Sequence, residues 1–169
     1  MSNNKDNEAK INFQDNLAGK YLTFRLGDEI YALEILKVQE IIGLMKVTHV
    51  PRTPEFIRGV INLRGKVIPV IDLRLKFDST NLVDTDRTCI IVVQLNAGSE
   101  SIIMGIIVDE VSEVVDITSD QIEEPPTFGD SVNTEFIMGM GKFEQKVIML
   151  LDIEKVLTKD EISSASALF

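Results

Sequence analysis

The stretch Phe56 to Leu73, FIRGVINLRGKVIPVIDL, returns at Phe136 to Ile153 as FIMGMGKFEQKVIMLLDI. At this constant offset of eighty, Phe56, Ile57, Gly59, Lys66, Val67, Ile68 and Asp72 have identical partners. The repeated positions are those a β-hairpin needs: apolar residues in alternation, a glycine, and an Asp where the second strand ends. The middle is not repeated. Asn62-Leu63-Arg64-Gly65 becomes Lys142-Phe143-Glu144-Gln145. The framework recurs and the exposed turn diverges, which is where a binding role belongs.

Upstream, Tyr31 to Ile41 (YALEILKVQEI) matches Met104 to Val114 (MGIIVDEVSEV) at an offset of seventy-three. Leu22-Thr23-Phe24 matches Ile91-Val92-Val93 at sixty-nine. The offset grows only across turn-like stretches, near Gly98 and from Pro125 to Asp130. Insertions fall in loops, so the drift fits two copies of one small β unit.

The chain has 169 residues, enough for one ordinary domain or two small ones sharing a core. The runs CIIVVQL, SIIMGIIV and KVIPVIDL are short and β-branched, and they read as buried strands. None reaches the roughly 18 apolar residues a membrane span needs. Residues 1–18 are polar, with no apolar signal core. They are expected to form a disordered tail of a cytoplasmic protein. Cys89 is the sole cysteine and His49 the sole histidine. That excludes an internal disulfide and argues against a Cys–His catalytic pair or a zinc site.

The formal net charge is −10 and unevenly placed. Thr88 to Gly141 holds ten carboxylates and no Lys or Arg. Pro51 to Lys76 holds six basic residues (Arg52, Arg58, Arg64, Lys66, Arg74, Lys76) against two acidic ones. The halves are expected to present opposite fields. This suits two protein partners better than nucleic acid.

Tyr21 to Leu26 and Ile30 to Leu33 read as strands joined at Gly27-Asp28-Glu29, and a third strand starts near Val38. Gly59 to Leu63 and Val67 to Ile71 form a hairpin tipped by Arg64-Gly65. Pro69 in its second strand predicts a sheet edge or a bulge. Thr118 to Gln121 carries a helix-cap signal, and Glu123 to Asn133 reads as a long loop. Asp152 is a candidate N-cap for a short helix reaching Ile162. The expected fold is mainly β: two small barrels of about five strands, with a short helix near the C-terminus.

No catalytic constellation emerges. There is no phosphate loop, no nucleophile elbow and no His-rich motif. The Asp109-Glu110 and Glu123-Glu124 pairs lack partners that would tune their pKa values for catalysis, and Asp84 and Asp86 read as plain loop residues. The duplicated Asp72 and Asp152 raise the idea of an acid-pair hydrolase. Each is better read as capping the turn that leaves its strand. A generic peptide-binding barrel would show an aromatic-lined groove, and two Tyr with no Trp supply little for one.

The segment FIRGVINLRGKVIPVIDL resembles the signature of the CheW-type coupling proteins of bacterial chemotaxis. LGDEIYALEILKVQEI, VPRTPEFIRG, IIVDEVSEV and FIMGMGKF…VIMLLDIEKVL resemble the same family in the same order, over about Gly19 to Ile162. The resemblance implies two packed five-stranded barrels of the Src-homology-3 type, at about 20–80 and 87–157. Strands could be exchanged between them, and residues 163–169 would form a C-terminal tail. It implies a non-enzymatic cytoplasmic adaptor without a cofactor. Its partners would be methyl-accepting chemoreceptor tips and the regulatory domain of the histidine kinase CheA. Recruitment to membrane arrays would run through those partners. The stretch after the second barrel has room for neither a kinase core nor a receiver domain, which favours a stand-alone adaptor. Receptor-side residues carried over from the family are Val38, Glu40, Gly59, Asn62 and Arg64, with Arg64 expected to pair with Glu40. Apolar barrel ends are the expected kinase contacts: Ile41, Ile42, Leu44, Phe136, Met138 and Gly139.

Overall fold

The computed structural model describes residues 3–77, 82–97, 99–127 and 134–157. A helix, α1 (Asn3–Leu17), leads into the hairpin of β1 (Gly19–Leu26) and β2 (Glu29–Glu34). A 3-10 turn at Ile35–Lys37 then opens β3 (Val38–Gly43). β4 (Ile57–Leu63) and β5 (Lys66–Asp72) form the predicted hairpin, which runs into α2 (Leu73–Lys76). The second half follows the same plan. β6 (Cys89–Ala97), β7 (Glu100–Val108) and β8 (Glu110–Ile117) precede a 3-10 turn at Ser119–Gln121. β9 (Ile122–Glu123), β10 (Ile137–Phe143), β11 (Lys146–Leu151) and α3 (Ile153–Val156) follow.

The strands form two sheets. One has the order β3-β6-β7-β5-β4, the other β8-β1-β2-β11-β10-β9. Under the sequence repeat, β1-β2 corresponds to β6-β7, β3 to β8, and β4-β5 to β10-β11. The two orders are then the same, with β9 added to the second. Neither sheet is built from one half of the chain, because each takes its central hairpin from the other half. The junctions correspond as well. β5 pairs parallel to β7 with Val70 opposite Gly105, and β11 pairs parallel to β2 with Leu150 opposite Ala32. Division of the chain at about residue 80 therefore describes the duplication and not the sheets.

Exchange explains why the middle strands are apolar without interruption. Along β6, Ile91, Val93 and Leu95 face a large cluster between the two sheets, together with Leu22, Phe24 and Leu33 from the other sheet. Ile90 and Val92 face a second cluster confined to their own sheet. The other sheet has a matching cluster around Ala32, Ile122 and Leu150. A strand buried on both faces reads as a continuous hydrophobic run. Each fully buried Ile, Leu or Phe contributes about 1.5–3 kcal/mol, so the shared cluster locks the halves together. A stack of rings crosses the same region: Phe24 to Tyr31 at 6.0 Å, Tyr31 to Phe77 at 5.5 Å and Phe77 to Phe136 at 5.1 Å between centroids.

Two expectations need correction. The tail expected to be disordered contains α1, because Phe13 and Leu17 find an apolar surface to cover. A polar sequence hid a site that only the folded partner supplies. Pro69 lies in an inner strand of its sheet. It is tolerated because β7 begins pairing only at Val70, so no ladder bond is required there; the bulge of the hairpin lies in β4 at Arg58, while Pro69 itself faces Val60. Three members of the acidic pairs sit in ordinary polar contacts. Glu110 meets Arg87 at 3.3 Å, Glu123 meets Lys142 at 2.8 Å, and Asp109 accepts from Arg74 at 3.3 Å and from the Gly27 N–H at 2.7 Å. The expected end of the last helix and the 163–169 tail lie outside the described residues, as does most of the Glu123 to Asn133 loop. Among the described residues, no helix is long and apolar enough to cross a membrane.

Candidate functional site

The β4–β5 hairpin turns through two residues, Arg64 at φ +52° and Gly65 at φ +84°, with Leu63 opposite Lys66. Two positive φ values are the signature of the turn whose twist matches flanking strands. The Asn62 side-chain oxygen accepts from the Gly65 N–H at 2.9 Å and pins the turn from inside. Asn62 therefore shapes the site rather than projecting from it.

The pinned turn aims Arg64 at Glu40 on β3. Nη1 donates to one carboxylate oxygen at 3.2 Å and Nη2 to the other. This is a two-pronged pair between the planar guanidinium and the planar carboxylate. β3 and the β4–β5 turn belong to opposite ends of the five-stranded order, so the pair joins the two edges of one sheet. The Arg64 side chain remains 71% exposed, against 29% for Glu40. The pair is thus a surface feature with donors left for a partner. The hydrogen-bonded Arg64 guanidinium holds the Glu40 carboxyl below its usual range. A register shift in β3 between Val38 and Glu40 bends the strand at the point where Glu40 must reach across. Val38 itself is half-buried against the intersheet cluster.

Gly59 supports the site from beneath. Its φ is +141°, and a Cβ there would lie 2.0 Å from the Thr48 carbonyl oxygen. No L side chain fits. The bare backbone lets Thr48 and Val60 exchange two bonds, at 2.8 and 2.9 Å, which hold the segment after β3 against β4. Leu44 and Val47 of that segment reach the inner cluster. The receptor-side residues expected from the sequence therefore split into two groups. Glu40 and Arg64 form the surface pair, and Asn62, Gly59 and Val38 hold its scaffold.

The basic stretch is less exposed than its composition suggests. Arg74 is 1% exposed and Asp72 0%. Arg74 bonds Asp72 at 2.9 and 3.0 Å, Asp84 at 2.8 Å, Asp109 at 3.3 Å and the Val83 carbonyl at 3.4 Å. Burial alone would lower the Arg74 pKa, but bonds to Asp72 and Asp84 outweigh it and raise the value. Arg58 adds 2.9 Å bonds to Asp72 and to Asp84. Two of the six basic residues are thus consumed in a hub that ties the segment between the halves to both. The Lys76 ammonium sits 4.7 Å over the Phe56 ring. Arg52, Arg64 and Lys66 remain exposed. Asp84, read from the sequence as a loop residue, belongs to this hub; Arg74, two residues after the repeated Asp72 and replaced by Glu154 in the second copy, was the available clue.

The acid-pair idea is not favoured. The Asp72 carboxylate accepts from the Arg74 backbone N–H at 3.0 Å and is saturated by two guanidinium groups. Asp152 accepts from the Glu154 N–H at 3.1 Å. Each caps the helix leaving its strand.

The six residues expected at a kinase face are not one surface. Ile41 is 45% exposed, while Ile42 and Leu44 lean on the inner cluster of the first sheet. Phe136 belongs to the ring stack, and Met138 packs beside the cluster of the second sheet. Gly139 is buried beneath Leu17 of α1, so it is not open to direct contact in this conformation.

A family model described as the CheW-like domain matches residues 20–161. A chemotaxis protein CheW of Klebsiella aerogenes is 43% identical over 144 residues, covering 85% of this chain and 84% of that protein. The CheW of Helicobacter pylori is 35% identical over 160 residues, covering 94% and 88%. Protein FrzA of Myxococcus xanthus is 31% identical over 140 residues, covering 82% and 84%. Among solved structures, the scaffolding protein TtCheW of Thermoanaerobacter tengcongensis superposes with a TM-score of 0.73 at 36% identity, covering 83% of this chain and 92% of that one. With the fold, the duplicated hairpin and the family model in agreement over most of its length, the chain belongs to the CheW-like family of chemotaxis coupling proteins.

Proposed function

We propose that this protein is a chemotaxis adaptor that couples methyl-accepting chemoreceptors to the histidine kinase CheA and supports kinase activation in receptor arrays. It acts by binding rather than catalysis. It works in the cytoplasm and reaches the membrane through its partners. The observation that carries this reading is the Arg64–Glu40 pair on a rigid two-residue turn, present in one copy of the repeat only. Glu40 fixes the guanidinium plane, and the N–H groups it does not engage are offered to a carboxylate or carbonyl of a receptor tip. Preorganisation lowers the entropic cost of that contact. Val38, Gly59 and Asn62 complete the receptor side by holding β3 and the turn.

The kinase side is assigned to apolar surface away from that turn. Ile41, Ile42 and Leu44 form one candidate group, and Phe136, Met138 and Gly139 the other. The exposure of Ile41 and of Met45 beside Leu44 supports the first group most directly. The reading is tested by co-sedimentation of purified protein, kinase and receptor-containing membranes, with kinase autophosphorylation as readout. Protein-dependent recruitment and activation of the kinase is the expected result. A folded protein that recruits neither cognate partner overturns it.

A further inference from the structure

The helix α1 lies before the residues that match the family, yet it is seated on the second sheet. Phe13 and Leu17 stand one turn apart and pack against the buried cluster that contains Ile117 and Ile122. Between them, the Gln14 side-chain amide donates to the Ile122 carbonyl at 2.8 Å. The Tyr21 hydroxyl donates to the Leu17 carbonyl at 2.6 Å. The seat depends on a bare backbone: a Cβ at Gly139 would approach Leu17 Cδ1 to 3.1 Å. β9 pairs with β10 at Met140 and Gly141, and Leu17 lies over the backbone of Gly139 just before them.

The helix is poorly suited to stand alone. Five of its fifteen residues are Asn, a weak helix former, and only Ala18 separates it from β1. Isolated helices of this length are marginal in water. Its order therefore derives from the seat, and among the described side chains its hold is Phe13, Leu17, the Gln14 amide and the bond from the Tyr21 hydroxyl. Such a contact is displaceable in a way the interdigitated sheets are not.

We propose that the face formed by the Ser119–Gln121 turn, β9 and β10 is a helix-docking groove, that α1 is its resident occupant, and that α1 gates it against a partner helix of the same chemistry. That chemistry is two apolar residues four positions apart with a side-chain amide donor between them. The apolar pair fills the space over Gly139 and beside Ile122, and the amide satisfies the Ile122 carbonyl that undocking exposes. The groove includes Met138 and Gly139, but the inference stands on the seating of α1 and not on the kinase assignment.

The test uses the full chain and a fluorescein-labelled synthetic peptide of residues 3–18, read by anisotropy. Phe13→Asp loosens the resident helix, and Gln14→Ala does so more gently should the first variant perturb folding. Unchanged amide protection of β6 and β7 reports an intact core in either. A tethered helix acts at an effective concentration of order mM. The peptide is therefore expected to bind Phe13→Asp at least about tenfold more tightly than wild type. Adding Gly139→Val to that variant is expected to abolish binding, because the seat is then filled. Equal binding to wild type and Phe13→Asp, binding to neither, or binding that survives Gly139→Val overturns the proposal. No kinase or receptor is present, so failure here leaves the adaptor reading standing.

Discussion

The tips of the two repeated hairpins share a backbone and differ in charge. Arg64 and Gly65 adopt φ of +52° and +84°; Glu144 and Gln145 adopt +50° and +65°. At the first tip the side chain pairs with Glu40 on β3, the opposite edge strand of the same sheet. At the second, Glu144 and Glu113, the counterpart of Glu40, line the same small hollow, so like charges stand where opposite charges meet in the first copy. Duplication preserved the turn, and divergence confined the forked donor to one sheet. Among the described residues, the paired arginine fork stands on one sheet only.

The same contrast extends below the surface, and the largest expected effect lies there. Arg74→Leu strands the buried Asp72 and loosens Asp84 and Asp109. Removing one partner of a buried pair costs about 3–5 kcal/mol. Its counterpart Glu154 is partly exposed and bonds Lys37 at 2.8 Å, so Glu154→Gln should cost about 1 kcal/mol or less. Urea denaturation of both variants measures the asymmetry, and equal losses would break it.

Gly59 and Gly139 come next. Gly59→Ala drives a Cβ into the Thr48 carbonyl at positive φ and should cost about 2–4 kcal/mol while detaching the segment after β3. Gly139→Ala meets only the flexible end of Leu17 closely and should stay within about 1 kcal/mol. A conserved letter in the repeat thus has two physical reasons, and thermal melts of the two variants separate them.

At the tips themselves the effect is on binding. Arg64→Ala should leave the urea midpoint unchanged and weaken receptor binding about tenfold or more, since a charge-assisted contact is lost. Glu144→Ala should alter receptor binding little. Receptor co-sedimentation compares them, and a comparable loss from Glu144→Ala would place the contact on both sheets. A smaller effect concerns the second tip alone. Gln145 holds a left-handed conformation without being glycine, so Gln145→Gly should raise stability by about 0.5–1 kcal/mol.

The smallest effect is in acid. Hydrogen bonds from Arg74 first, then Arg58, hold Asp84 below the ordinary aspartate range. The unfolded chain therefore takes up that proton before the folded protein does as pH falls. The stability this provides is present above about pH 4 and is lost below it. In Arg74→Leu the acid dependence of the urea midpoint should flatten. An unchanged slope would remove Asp84 from the hub.

Much of the fold was legible because local signals are repeated and short-ranged. The Arg64-Gly65 turn, the Asp72 and Asp152 caps and the Thr118–Gln121 capping box follow from neighbouring residues and appear as expected. The Glu40–Arg64 pair came from the family pattern, and the geometry provides it. The seat of α1 was not legible, since nothing in a polar, Asn-rich segment names the groove that Leu17 covers. Nor was the burial of Arg74, with Arg58 drawn into the same hub, because a charge in sequence carries no depth.

The sequence by itself determined the strands, their turns, the duplication and the family. Each is written in periodicity, glycine placement and motif order, which act over a few residues. The tertiary structure alone decided which hairpin enters which sheet, which arginines are buried and where the first helix rests. Val70 opposite Gly105 and Leu150 opposite Ala32 are equivalent junctions between apolar runs of nearly interchangeable chemistry. Only packing of both faces of β6 and β7, one against the other sheet and one against their own, selects among such partners.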